Sequence, residues 1–192
     1  MKYILATANP GKIGEMKEIL SALGIDIATR KELGIDVEVE ETGETFIENA
    51  TIKAKAICSA AGMPAIADDS GLCIDALGGG PGVYSSSFGG EHLDDNGRCL
   101  YLLDLMSSME QRGAKFVSTI VCAFPDGRII TAQGECCGKI AKQQCGTGGF
   151  GYDCVFIAEG YNKTMAQLAP EEKNAISHRG KALKEFSRLI MG

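Results

Sequence analysis

Short apolar runs bounded by glycine, proline and asparagine alternate along this chain with longer segments whose apolar positions recur every three or four residues, the patterns of strands and amphipathic helices. KYILAT, near the start, reads as a short buried strand. After ANPGK, the segment IGEMKEILSALG places Ile13, Met16, Ile19, Leu20 and Leu23 at helical spacing. Asn9 suits the N-cap, Pro10 the first helical position and Gly24 the stop, so residues 7–12 are predicted to be a strand-to-helix loop. The alternating IDVEVEE leads into TFIENATIKAKAICSAAG, a long helix opened by a capping box at Thr45 and Glu48 and closed at Gly62 and Pro64. PAIADDSGL then carries an apolar strand into Asp68, Asp69, Ser70 and a glycine turn, with LCIDAL as a further strand beyond it.

GGGPGVYSSSFGG is loop, since six glycines and a proline crowd it. LDDNGRCLYLLDLMSS has helical periodicity through Leu100, Leu103 and Met106, and AKFVSTIVCAF, PDGR and IITAQGEC form a hairpin with turn residues in the middle. GTGGFGYDCVF is a glycine-rich loop entering a short strand, and SHRGKALKEFSRLIM is an amphipathic helix that Ser177 is placed to cap. Without a repeat, a low-complexity tract or a linker, residues 1–192 are predicted to fold as one mixed α/β domain.

Charge narrows the possible partners. Nineteen basic against twenty-five acidic residues give a net charge of −6, which argues against a nucleic-acid polymer but leaves room for a single nucleotide met by local cations and amides. The eight cysteines lack the paired spacing of a zinc site and lie mostly in apolar segments, so free thiols in a reducing cytoplasm are expected. The apolar run behind Met1 and Lys2 is too short for a signal peptide, and no stretch reaches the roughly 18 apolar residues of a membrane span.

Against that background, four constellations point to chemistry. Backbone amides at the start of the first helix, with Lys12 beside them, favour an anion such as phosphate, although the loop is not a Walker P-loop. In the second, alternation along the strand turns Asp68 and Asp69 to opposite sides. One of them can take a proton from water or hold a hard divalent cation, and Glu40 can join Asp69 on Mg²⁺, which accepts one or two carboxylates. Asn49 and Lys53 share a face of the following helix and can aim an amide and a cation at that site. Third, His178 and Arg179 stand in the first turn of the last helix, where a cation is locally unfavourable unless a negative partner lies outside the helix. Fourth, four glycines around Phe150 and Tyr152 let the backbone approach a flat ligand while a ring stacks on it, as a purine requires. Together these are the parts of a nucleoside triphosphate site.

The chain resembles the inosine triphosphate pyrophosphatases, enzymes that remove deaminated purine nucleoside triphosphates. The likeness runs nearly end to end, through Thr7-x-Asn9-x-x-Lys12-x-x-Glu15, EETGETFIENA, PAIADDSGL, ALGGGPGVYS, GTGGFGYD and EEKNAISHRGKAL. It implies an elongated mixed α/β domain of the ITPase-like (Maf/Ham-type) fold with a central cleft, a homodimer, and Mg²⁺-dependent hydrolysis of dITP, ITP and XTP to monophosphate and pyrophosphate. By the same resemblance, Thr7, Ala8, Asn9, Pro10, Gly11 and Lys12 hold the triphosphate, Glu40 and Asp69 hold magnesium, and Asp69 is the general base. Ser70, Phe150, Gly151, Tyr152, Asp153, Lys173, His178 and Arg179 contact the substrate, with Lys53 on its phosphates. The chain departs from the family pattern at Ser87, where an arginine is usual, and at Cys154, which takes the place of a proline. The competing readings are a Maf-type pyrophosphatase acting on pyrimidine or modified nucleotides, against which SHRG and FGYD stand, and an idle nucleotide sensor, against which Asp69, Glu40 and Lys12 stand.

Overall fold

Local signals place the first elements of the computed structural model, which describes residues 1–192. Helix α1 (Pro10–Ala22) begins where expected, with the Asn9 side chain accepting a hydrogen bond from the Lys12 amide and proline in the first turn. Helix α2 (Phe46–Ala61) carries the full capping box of Thr45 and Glu48 and ends on Gly62 in the left-handed region. Satisfying these otherwise orphaned amides is worth on the order of 1 kcal/mol per cap. The remaining helices are α3 (Asp95–Leu105), α4 (Pro170–Ile176) and α5 (His178–Met191).

Strands β1 (Lys2–Leu5), β2 (Asp26–Thr29), β3 (Ala65–Ile74), β4 (Gly113–Ala123), β5 (Ile129–Ile140) and β6 (Phe156–Ala158) form one sheet in the order β2-β1-β3-β4-β5-β6. β1 runs parallel to both β2 and β3, with Leu5 opposite Thr29 and Ile66. The parallel register, with Leu5 opposite Ile66, brings the chain leaving the carboxyl end of β1 level with Asp68 and Asp69 of β3, so the loop 7–12 and that pair lie together. The carboxyl end is the usual ligand-binding end of parallel strands.

One expectation is corrected here. Asp68 to Gly71 is not a turn between two strands, because β3 continues through it to Ile74 and only then gives way to a 3-10 turn at Asp75–Leu77. Gly71 is required by close approach rather than by bending: a Cβ there would lie 2.1 Å from the Gly82 carbonyl oxygen. The Ser85 hydroxyl accepts from the Leu72 amide at 2.9 Å and donates to that same Gly82 carbonyl, binding the 82–85 loop to the strand. Ser177 is the C-cap of α4, a short helix that the apolar periodicity does not reveal, as it does not reveal β2, and it stands directly before α5.

The chain divides into two compact units, residues 1–69, 118–134 and 178–192 in the first, and 70–117 and 135–177 in the second. In the first unit β1 is buried on both faces. Leu5 packs with Met16, Leu20, Leu183 and Phe186, while Ile4 packs with Ala50, Ala54 and Ile57 of α2. The second unit has its own core around Leu72, Ile74, Leu102, Phe116, Tyr152 and Phe156. No helix is long and apolar enough to cross a membrane.

Candidate functional site

Chemistry-bearing residues gather in each unit. In the first, Asp68 and Asp69 leave β3 in opposite directions and meet different partners. Asp68 is fully buried, with Lys12 2.9 Å and Arg179 3.1 Å from its Oδ2 and the Ser118 hydroxyl donating to its Oδ1 at 2.5 Å. Arg179 also meets Glu15 of α1 at 2.5 Å. The negative partner expected outside the last helix is thus the protein's own carboxylate pair. Lys12 and Arg179 do converge, and they converge on Asp68.

Close packing sets the start of α5. A Cβ at Gly134 would lie 2.3 Å from the His178 carbonyl oxygen and 2.4 Å from the Ala182 amide nitrogen, so β5 admits the helix backbone only because that position is glycine. His178, at the first helical position, is buried.

Asp69 faces a second cation. Lys53 of α2, itself nearly buried, donates to Asp69 Oδ1 at 2.8 Å and to Glu41 Oε2 at 2.7 Å. Asp69 Oδ2 is buried and has no hydrogen-bond partner. Glu40, the acid expected beside Asp69, is exposed on an irregular segment, and its neighbour Glu41 is the one tied to Lys53. Asn49, expected to point its amide at a ligand, accepts from the Gly43 amide at 2.8 Å and so anchors that segment to α2.

The two adjacent aspartates titrate in opposite senses. Burial pushes the Asp69 carboxyl up to about 6, against the pull of Lys53 and Lys12. Burial would raise Asp68 too, but Arg179, Lys12 and the Ser118 hydroxyl outweigh it and hold that carboxyl well below the usual carboxylate range. A depressed carboxylate stabilises the fold above its unfolded value and loses that contribution as pH falls through its folded value, which is the case for Asp68. A raised one has the opposite sign: the cost of ionising Asp69 in the folded protein grows from about pH 4 to about pH 6 and persists above it. Carboxyl carbon NMR of the ligand-free protein is therefore expected to show one aspartate with a midpoint near 6 and another with its midpoint well below the usual carboxylate range. Two ordinary midpoints near 4 would contradict this assignment.

In the second unit the loop 146–153 is held by its own aspartate. Asp153 is buried, accepts from the Phe150 amide at 2.9 Å and pairs with Lys173 of α4. The Lys173 ammonium lies 5.1 Å from the centre of the Phe150 ring. Tyr152 is buried and donates its hydroxyl to the Ser85 carbonyl at 2.7 Å, so it anchors the loop, while Phe150 is half-buried. The Gly151 amide is held by Asp95 at 2.8 Å. Ser70, also half-buried, follows Asp69 on β3.

Glu15, Ser118 and Glu41 have no role in the sequence reading, and Asp68 figures there only as the neighbour of Asp69. A local signal existed for Glu15 alone, since its spacing of three from Lys12 puts both on one face of α1. An open depression lined by Lys55, Cys58, Phe124 and Arg128 also belongs to the first unit, but contains none of these groups.

Residues 3–189 match the model of a family described as the Ham1 family. The chain is 47% identical over 189 residues to the dITP/XTP pyrophosphatase of Bacillus subtilis (strain 168), covering 97% of this chain and 96% of that one. It is 46% identical over 187 residues to the protein of the same name from Escherichia coli O157:H7, covering 95% and 94%. Among solved structures, the Staphylococcus aureus Ham1 protein superposes with a TM-score of 0.88 at 38% identity, covering 100% of this chain and 99% of that one. A nucleoside-triphosphatase, dITP/XTP pyrophosphatase, from Mycobacterium abscessus gives 0.76 at 40% identity, covering 97% and 98%.

Proposed function

The chain belongs to the Ham1 family, and from that premise we propose that it hydrolyses deaminated purine nucleoside triphosphates (dITP, XTP and ITP) to the monophosphate and pyrophosphate, clearing them from the nucleotide pool. The observation that carries the chemistry is Asp69: a buried carboxylate with one oxygen on Lys53 and the other without a partner, near the loop that opens α1.

In this reading the amides of residues 7–12 and the Lys12 ammonium receive the phosphates, as a helix start with a cation beside it favours. Asp69, whose affinity for a proton is raised by burial, accepts one from the attacking water. A bond forms from the water oxygen to the α-phosphorus, and the bridging bond to the β-phosphate breaks with its electron pair leaving on pyrophosphate. Lys12 and Lys53 offset the charge that develops. In the second unit, Phe150, Gly151, Tyr152 and Asp153 with Lys173 carry base recognition, and Ser70 and His178 are assigned to substrate contact. Arg179, held by Asp68 and Glu15, serves by keeping Lys12 placed. Donors aimed at a 6-oxo group would meet adenine's amino group donor to donor, and each donor left unpaired costs about 1–3 kcal/mol. Guanine shares the 6-oxo group, so its rejection needs a further element against the 2-amino group.

Magnesium is part of the proposal. No preformed group of three acidic, histidine or cysteine side chains is present, but Mg²⁺ needs only one or two carboxylates when phosphates and water supply the rest. The partnerless Asp69 Oδ2 fits that role, with Glu40 or Glu41 of the adjoining segment as the second ligand. When bound, the ion supplies charge neutralisation on the phosphates. The proposal includes a homodimer, favoured by the exposed Tyr84 and by Leu100, Tyr101 and Leu105 of α3, and a reducing cytoplasm, favoured by eight free cysteines.

Incubation with dITP, ATP and dTTP plus Mg²⁺ tests the reading through released pyrophosphate. Release from dITP alone is the expected result. Release from dTTP would replace it with a Maf-type activity, and release from none with a nucleotide sensor.

A further inference from the structure

Lys53 occupies an unusual position for a residue meant to bind phosphate. Its ammonium is within 2.8 Å of two carboxylates, Glu41 and Asp69, while its side chain is only 10% exposed. An ammonium so placed is committed to protein oxygens and does not offer its charge to a ligand. Beside it lies the buried, partnerless Oδ2 of Asp69, an oxygen that no donor of the protein satisfies. Two carboxylates drawn toward one cation, with an acceptor left over, form a seat for a positive charge that exceeds what one ammonium supplies.

We infer that Lys53 is an internal counter-cation that keeps the place of the divalent metal between Glu41 and Asp69, so that metal binding and release of the Lys53 ammonium are one exchange. This inference rests on the magnesium-dependent reading above and deepens it. Before ligand arrives, Lys53 balances part of the negative charge that would otherwise make two facing carboxylates costly. When a metal and nucleotide bind, the carboxylates pass to the metal and the ammonium becomes available to the phosphates. The stem of Lys53, anchored on α2, limits how far the charge travels. Glu41 is the mobile partner. Its side chain is 44% exposed on an irregular segment, so it can close from ammonium to metal distance, whereas Asp69 is fixed in β3.

The exchange predicts that removing the ammonium strengthens metal binding in the absence of nucleotide. Lys53→Met keeps the apolar stem, leaves two carboxylates without a counter-charge, and is expected to tighten Mn²⁺ binding, read by electron paramagnetic resonance, by at least about tenfold over the parent. Adding Glu41→Gln to Lys53→Met is expected to return the affinity to about the parent level. Equal or weaker Mn²⁺ binding by Lys53→Met overturns the inference. A second readout needs no variant: nitrogen-detected NMR of the lysine ammonium groups in the parent protein should show the Lys53 signal change as Mg²⁺ is titrated, and an unchanged signal at saturating Mg²⁺ likewise overturns it. Failure of the two readings is distinguishable. If dITP is hydrolysed only with Mg²⁺ but Lys53→Met binds Mn²⁺ no better, the exchange falls and the pyrophosphatase reading stands. If Lys53→Met binds Mn²⁺ tightly and the parent releases no pyrophosphate, the reverse holds.

Discussion

Asp69→Asn is expected to lower turnover of dITP by about 10²–10⁴-fold, the usual contribution of a positioned general base, while nucleotide binding stays measurable. The substitution conserves shape and removes only the charge and basicity of the carboxylate. It also removes the cost of ionising a buried acid, so the variant should melt no lower than the parent. Loss of activity without loss of stability separates a chemical role from a structural one. Lys53 retains Glu41 and stays in place. Steady-state pyrophosphate release and equilibrium nucleotide binding, measured on the same preparation, decide the matter, and a variant that turns over dITP at near the parent rate removes Asp69 from the role of base.

Its neighbour should behave in the opposite way. Asp68→Asn leaves Lys12 and Arg179 facing a neutral amide in a buried site, with Glu15 as the remaining carboxylate. Removing one member of a buried ion cluster costs on the order of 3 kcal/mol, because the cations left behind are no longer compensated. For a chain of this size that lowers the melting temperature by roughly 6–12 °C. The solvent-exposed pair Glu185 and Arg188 is the control, since water screens it and Glu185→Gln should leave the melting temperature nearly unchanged. Should Asp68→Asn melt within a degree or two of the parent, the buried cluster is not what holds Lys12 and the start of α5 together. If both expected results are obtained, the adjacent aspartates form a pair with divided labour: Asp68 secures the architecture, Asp69 performs chemistry.

Much of this was legible in the residues. Asn9 and the Thr45–Glu48 box marked two helix starts that the structure has in the same places, and alternation along β3 separated Asp68 from Asp69. A misreading arose where a local rule met a distant contact. Gly71 reads as a turn residue by composition, yet the loop at 82–85 presses against it and the strand runs straight through. By sequence the aromatics Phe150 and Tyr152 are not told apart, and only the fold brings the Ser85 carbonyl, 67 residues away in the chain, to the Tyr152 hydroxyl. Glu40 and Glu41 are indistinguishable in a run of alternating acids, and only the position of Lys53 on α2 selects one of them.

The sequence by itself determined the helix starts, the β4–β5 hairpin, the glycine-rich loops and the strand-to-helix loop before α1, because caps, turns and periodicity involve groups within a few residues of one another. The tertiary structure alone decided that Asp68 gathers Lys12 and Arg179, 56 and 111 residues distant, while Asp69 is left with Lys53 and an unmet oxygen. Charges so far apart in the chain meet only through the parallel pairing of β1 with β3 and the seating of α5, and nothing in the spacing of either residue encodes those.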